Sequence, residues 1–178
     1  MRKLLNEELN RLSIREFKEA KKIPIIVVLD NIRSLNNIGS AFRTSDAFRV
    51  ESVFLCGITS CPPHRDIQKT ALGATESVEW QYFENTTDAL KLLKEKGYTA
   101  ISIEQVDTSI KLNEFVPEKS KRYALIFGNE VKGVSDEAIR ESHFCIEIPQ
   151  LGTKHSLNIS VSVGIVLWHF VCKSNLLD

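Results

Sequence analysis

The chain lacks the features that mark several special classes of protein. Its 23 basic and 23 acidic residues cancel, so the formal net charge is zero. That balance argues against a histone-like or tail-driven binder of nucleic acid, although it does not exclude local patches. No segment approaches the length of a membrane span, and the N-terminus has no apolar core of signal-peptide length. We therefore expect a cytoplasmic protein that does not associate with membranes.

Cysteine is also scarce. Four cysteines in 178 residues do not form the pattern of a disulfide framework. Cys56, Cys61 and His64 lie close together in the chain, yet their spacing matches no usual zinc site. We expect free thiols and no bound metal.

Length and composition predict one domain over residues 1–178, because a chain with 43% apolar residues can bury a core of its own. Residues 1–22 read as an N-terminal helical extension and residues 23–178 as the core. In the extension, Leu4, Leu5, Leu9, Leu12 and Phe17 follow a roughly helical spacing. That spacing predicts one amphipathic helix over residues 4–20.

Strand-like and helix-like segments alternate through the core. "IIVVL" at residues 25–29 is a continuous apolar run, typical of a strand buried in a parallel sheet. The apolar segment at residues 156–173 is rich in β-branched residues, but its length favours a helix. The alternation predicts an α/β fold, with a mainly parallel sheet flanked by helices. The other predicted strands are "SVFLCG", "VEWQYF", "YTAISIEQ", "YALIFG" and "CIEIP".

In α/β domains, ligands gather where strands end and helices begin. The first such junction here is "NNIGSAFRTSDAF". Gly39 precedes Arg43 by four residues, so we expect an open lane along which the guanidinium reaches back toward Asn37. With the helix N-terminus, these residues would form a clasp for a phosphate or a polyol. Alternatively, Asn37 only caps the helix and Arg43 only pairs with Asp46.

Two more junctions follow in the second half of the chain. In "LIFGNEVKGVS", two glycines bracket Glu130 and allow the backbone to pass close to a ligand. Glu130 itself would accept hydrogen bonds, pair with a buried arginine, or remain a solvated loop carboxylate. In "IEIPQLGTKHSLNISVSV", Ser156 and Asn158 follow a turn; Ser156 is either part of a site or merely a helix cap.

Taken in order, the three segments resemble the motifs of the SpoU (TrmH) family of RNA 2′-O-ribose methyltransferases in the SPOUT superfamily. The resemblance covers roughly residues 24–172. The matching positions are Asn37, Gly39, Arg43 and Thr44 in the first motif, Gly128, Glu130 and Gly133 in the second, and Ile148, Pro149, Gly152 and Ser156 to Ser160 in the third.

The resemblance implies a deep trefoil knot at the C-terminal end of the fold, which is an exception to the rule that chains do not thread loops. It also implies a homodimer and the cofactor S-adenosyl-L-methionine (AdoMet). By resemblance, the cofactor lies in the knot against backbone around Gly128, Ile148 and Leu157, with Glu104 nearby.

The same resemblance makes Arg43 the catalytic residue, held in a dry pocket by Asn37, Glu130, Ser156 and Asn158. Two roles remain open for it. As a general base it would have to lose a proton that a guanidinium, with a pKa above about 12, holds tightly. As a clamp it would bind the 3′-phosphate and stabilise the forming alkoxide.

The substrate implied by the resemblance is structured RNA. The segments "GYTAISIEQVDTSIKL" and "SLNISVS" are most similar to eukaryotic-type tRNA D-loop guanosine methyltransferase domains, which favours tRNA over rRNA. A non-catalytic RNA-binding or assembly factor, and a methyltransferase for a nucleobase or small molecule, remain alternatives. Residues expected to meet phosphates are Arg2, Lys3, Arg11, Arg15, Lys18, Lys21 and Lys22 in the extension, and Arg33, Arg65, Lys69, Lys132 and Lys154 beside the motifs.

Overall fold

The centre of the protein is a seven-stranded sheet, seen in a computed structural model that describes residues 1–174. Its strand order is β3-β2-β1-β6-β4-β7-β5, and all six neighbouring pairs are parallel. The strands are β1 (Ile23–Asp30), β2 (Val50–Cys56), β3 (Trp80–Phe83), β4 (Tyr98–Ile103), β5 (Ile110–Lys111), β6 (Arg122–Phe127) and β7 (Phe144–Glu147).

Helices cover both faces of this sheet. The helices are α1 (Ile14–Glu19), α2 (Leu35–Ala47), α3 (Arg65–Ala71), α4 (Ala74–Ser77), α5 (Thr86–Glu95), α6 (Asp136–Glu141) and α7 (Ile159–Lys173). One apolar core contains Phe42 of α2 and Phe170 of α7, and the other contains Leu90 of α5 and Ala138 of α6. Since both faces are covered, β1 is buried along nearly its whole length, as its continuous apolar run predicts.

The strand order creates a crevice beside β1. From β1 the chain moves outward through β2 to β3, whereas β6 and β4 lie on the other side of β1. In open parallel sheets, ligands bind beyond the carboxyl ends of the strands where the winding direction reverses. The loops after β1, β4, β6 and β7 meet at that edge, and they carry all three sequence motifs.

The α/β prediction, the mainly parallel sheet and the helical assignment of residues 159–173 are confirmed. The sequence did not predict β5, which is only two residues long and pairs with β7. Within residues 1–174, no helix combines the length and apolar character needed to cross a membrane. In the same part of the chain, no group of His, Cys, Asp and Glu side chains is arranged to hold a metal.

The prediction of one amphipathic helix over residues 4–20 is wrong. A 3₁₀ turn ends at Leu9, Asn10 adopts a left-handed conformation, and a separate helix, α1, begins after Ser13. Ser13 and Glu16 form a capping box, which starts a new helix. Among the apolar residues of the extension only Phe17 is buried, so the helical spacing of the leucines reflects no buried face within this chain.

Candidate active site

A cavity of about 520 Å³ opens at the carboxyl edge of the sheet. Its walls come from the ends of β4, β6 and β7 and from the segment leading into α7. Its size lies in the range usual for small-molecule sites. Seven of the nine predicted site residues line it: Glu104, Gly128, Glu130, Ile148, Ser156, Leu157 and Asn158.

Glu130 fastens the loop after β6 to the beginning of α2. Its carboxylate accepts hydrogen bonds from Arg33 N at 3.1 Å and Ser34 N at 3.0 Å, and from Asn37 Nδ2 at 3.0 Å. Backbone N–H groups at the start of a helix have no partner within the helix, so an anion there is stabilised. Of the roles open to Glu130, the structure therefore favours the hydrogen-bond acceptor over the arginine partner.

These hydrogen bonds stabilise the negative charge of Glu130. Burial raises its pKa, but the bonds from Asn37, Arg33 N and Ser34 N together outweigh burial and hold the pKa below its ordinary value. Glu130 is therefore an anion at neutral pH. Because its pKa is depressed in the folded protein, its contribution to stability is present at neutral pH and is lost as the pH falls through that pKa.

Asn37 joins this contact to the third motif. Asn158 Nδ2 donates to Asn37 Oδ1 at 3.2 Å, while Asn158 Oδ1 accepts from Ser160 N at 2.8 Å and caps α7. The cap of α7 is thus Asn158 and not Ser156, which lies exposed on the cavity wall. The cap of α2 is Ser34, so Asn37 lies in the first helical turn.

The loop from Gly128 to Gly133 forms the floor of the cavity. Asn129 N donates to Gly133 O at 2.8 Å and Gly133 N donates back to Asn129 O at 2.9 Å. Glu104 closes the loop from the side by accepting a hydrogen bond from Val134 N at 2.9 Å. Gly133 has a φ of +70°, which side chains other than glycine rarely adopt. The predicted need for two glycines is explained by this tight turn.

Arg43 does not occupy the predicted dry pocket within its own chain. Its side chain is exposed, and it makes no hydrogen bond or ion pair with the other residues that the structure describes. It lies six positions after Asn37, which is about 9 Å along the helix and roughly 120° around it. The alternative pairing with Asp46 is also absent from the described residues, where Asp46 accepts a hydrogen bond from Ser77.

The predicted open lane at Gly39 is wrong. Gly39 is buried, and a Cβ there would lie 2.2 Å from Ile67 O and 2.2 Å from Thr70 Oγ1. The missing side chain therefore allows α3 to pack tightly on α2, and it opens no path for Arg43. A contact between two helices is not visible in the local sequence pattern, which is why the prediction failed.

Two residues that support the site were not singled out from the sequence. Asp30, fully buried at the end of β1, accepts hydrogen bonds from Thr86 Oγ1 at 2.5 Å and Ser135 N at 2.7 Å. Asn129 donates from Nδ2 to Asn31 O at 2.7 Å. An aspartate ending an apolar strand and an asparagine between two glycines were the available signals.

Known proteins resemble this chain over most of its length. Residues 24–168 match the model of the SpoU rRNA Methylase family. The chain is 34% identical to an uncharacterized tRNA/rRNA methyltransferase of Borreliella burgdorferi, over 92% of this chain and 70% of the relative. It is 31% identical to the 23S rRNA (guanosine-2′-O-)-methyltransferase RlmB of Neisseria meningitidis, over 81% and 56% respectively. With the tRNA (guanosine(18)-2′-O)-methyltransferase of Thermus thermophilus it shares 29% identity, over 90% and 81%.

Two solved structures resemble the fold closely. The Aquifex aeolicus TrmH/SpoU tRNA modifying enzyme superposes with a TM-score of 0.80 at 26% identity, covering 92% of this chain and 82% of that one. The AdoMet-bound rRNA methyltransferase from Sinorhizobium meliloti gives a TM-score of 0.77 at 26% identity, covering 86% and 58%. This chain therefore spans little more than half the length of some of the proteins it matches.

Proposed function

Because the chain belongs to the SpoU rRNA Methylase family, we propose that it is an AdoMet-dependent RNA 2′-O-ribose methyltransferase. The observation that carries this proposal is the assembly of seven predicted site residues around one cavity at the carboxyl edge of the sheet. Residues 23–178 would form the catalytic core, with a C-terminal trefoil knot, and residues 1–22 an extension of it. A non-catalytic factor would not require Glu130, Asn37 and Asn158 to be joined in this way.

The cavity has the character that AdoMet requires. Gly128 and the backbone around Ile148 and Leu157 offer main-chain groups at close range, as an adenine and a methionine moiety need. The Glu104 carboxylate stands at the side of the cavity, already oriented by Val134 N and Gln105 N. AdoMet supplies an activated methyl group on a sulfonium. What the protein must add is alignment of the ribose hydroxyl and a path for its proton.

We assign Arg43 to binding the RNA substrate. A guanidinium binds a phosphate through two parallel hydrogen bonds, which fixes the neighbouring ribose in one orientation. An exposed Arg43 with no partner in the described part of its own chain is available for that contact. We therefore assign the clamp rather than the general base, since a guanidinium holds its proton tightly and is a poor proton acceptor.

We also propose that the enzyme is a homodimer in which Arg43 reaches the partner's cavity. Val161, Ile165 and Trp168 lie on one face of α7 and are 49%, 38% and 55% exposed. Trp168 contacts Phe48 at the end of α2, with ring centroids 6.1 Å apart. A second copy covering this apolar face would lie beside the helix that carries Arg43.

A charge placed on this face should separate the two copies. We expect Val161→Glu to shift the protein from dimer to monomer and to remove most methyl transfer, because a buried unpaired carboxylate is strongly unfavourable. Sedimentation velocity at several concentrations measures the change. Val116→Glu, which makes the same substitution at an exposed position outside α7, should leave the dimer intact. A dimeric Val161→Glu protein would contradict the proposed interface.

The proposed substrate is tRNA, with a D-loop guanosine as the preferred target and rRNA as the alternative. The relatives named above include proteins for both substrates, and the tRNA preference rests on the sequence segments around β4 and the third motif. Lys132 and Arg33, both exposed at the carboxyl edge of the sheet, stand where an incoming phosphate backbone would pass.

One experiment tests activity and substrate together. Purified protein is incubated with methyl-labelled AdoMet and with unmodified tRNA or rRNA transcripts. We expect label in RNA, predominantly in tRNA, at a position whose 3′ linkage resists alkaline hydrolysis because the 2′-oxygen is methylated. Label at an alkali-sensitive linkage would indicate methylation of a base. RNA binding without any transfer of label would indicate the non-catalytic factor instead.

A further inference from the structure

The arginines of this protein divide into two groups. Four of the nine (Arg2, Arg15, Arg122 and Arg140) form ion pairs. The other five make no ion pair with residues 1–174, and three of these five line a single groove. The three are Arg11, Arg43 and Arg49, all of them exposed.

This groove is separate from the cavity at the sheet edge. It has a volume of about 530 Å³ and lies between the N-terminal extension, α2 and the α3–α4 turn. The buried Phe17 forms part of its apolar floor, and Leu72, 65% exposed at a φ of +49°, stands at its rim. Its volume matches that of the proposed cofactor cavity, about 520 Å³, so the groove has room for one nucleotide.

The arginines of the groove outnumber its carboxylates. Asp46 is the one acidic side chain among its lining residues, against Arg11, Arg43 and Arg49. Lys22 lies close by; burial lowers its pKa and the charge of Arg49 lowers it further, while Glu79 acts in the opposite direction. An excess of clustered cations is self-repulsive, and a bound polyanion relieves that repulsion.

We propose that this groove binds the RNA strand next to the methylated nucleotide, with Arg11 and Arg49 on its phosphates and an apolar floor against one sugar or base. The proposal rests on the proposed function, since Arg43 would hold the phosphate at the target ribose and the groove continues from Arg43. It also gives the N-terminal extension a role, because Arg11 and Phe17 belong to it.

The test is RNA affinity, measured separately from methyl transfer. Fluorescein-labelled unmodified tRNA transcript is titrated with full-length protein, and anisotropy is followed at several salt concentrations. We expect Arg49→Gln to weaken binding about fivefold to tenfold, and Arg11→Gln with Arg49→Gln about thirtyfold. The slope of log K against log salt should become shallower by about 0.7 to 0.9 for each phosphate that the variant no longer neutralises.

Three controls make the result specific. Arg140→Gln removes the same charge outside the groove and should change affinity less than twofold. Arg49→Lys keeps the charge and should retain the salt slope, and circular dichroism checks that every variant is folded. Unchanged affinity and unchanged salt slope in the double variant would contradict RNA binding in the groove. If the double variant loses RNA affinity and the unsubstituted protein transfers no methyl group, RNA binding in the groove is supported and the proposed methyltransferase activity is rejected.

Discussion

Arg43→Ala is expected to bind AdoMet as the unchanged protein does and to lose methyl transfer by about a thousandfold. Arg43 is exposed and lies outside the proposed cofactor cavity of its own chain, and we assign it to the RNA phosphate, so we expect its removal to leave folding and cofactor affinity unchanged. An exposed helical residue replaced by alanine usually changes stability by less than about 0.5 kcal/mol. What is lost is the fixed orientation of the ribose hydroxyl against the methyl group.

Two measurements check this prediction. Isothermal calorimetry gives the affinity for AdoMet, and a single-turnover assay with labelled AdoMet gives the rate of the methyl-transfer step. Arg43→Lys keeps a positive charge but not the planar fork of donors, so it should recover less than about a tenth of the lost rate. An Arg43→Ala protein that retains substantial transfer would remove Arg43 from the mechanism.

A mixed dimer then decides which subunit Arg43 serves. Arg43→Ala protomers are combined with protomers whose cavity cannot bind AdoMet. If Arg43 acts across the interface, each mixed dimer contains one complete site of two. Random mixing in equal amounts makes about half of the dimers mixed, so about a quarter of the normal activity should return. If Arg43 acts within its own chain, neither half of the mixed dimer is complete and no activity returns.

The residues that line the cavity were named from the family resemblance, and the topology of the sheet explains why they lie together. Strands of a parallel sheet end at one edge, so the segments after β4, β6 and β7 must meet there. Glu104, Gly128 and Ile148 therefore come together although long stretches of chain separate them.

The failures concern contacts between elements that local spacing does not encode. Gly39 was assigned to a ligand path, whereas the structure places it against α3. The leucines of the N-terminal extension follow a helical period, yet Leu4 and Leu5 are 59% and 66% exposed. Each spacing is present in the sequence, but the element that packs against it cannot be identified from one segment alone.

Arg43 illustrates the same limit at the active site. Its position in the motif predicted a role, and within one chain the structure keeps it apart from the pocket predicted around it. Asn37 and Asn158 contact each other, while Arg43 faces a different groove on the same helix. A site shared between two copies would explain this separation, because the motif identifies Arg43 while the partner chain would supply its neighbours.

Gly128→Ala should weaken AdoMet binding strongly, because no side chain fits at this position. A Cβ on Gly128 would lie 2.0 Å from Val134 N, 2.1 Å from Gly133 C and 2.4 Å from Gly133 O. All three are backbone atoms, which cannot rotate away as a side chain can. The loop must therefore move as a unit, and the hydrogen bond from Val134 N to Glu104 moves with it.

Displacement of this loop acts directly on the proposed cofactor cavity, whose floor it forms. Overpacking of this kind costs about 1–3 kcal/mol in a core, so we expect AdoMet affinity to fall by about fivefold to a hundredfold and methyl transfer to fall with it. Calorimetric titration with AdoMet measures the first effect. Gly152→Ala is the matched control, since a Cβ there meets no atom within 4 Å, and it should bind AdoMet within about threefold of the unchanged protein. Normal AdoMet affinity in Gly128→Ala would show that the cofactor lies elsewhere, because no ligand held against this loop can remain bound when the loop is forced aside.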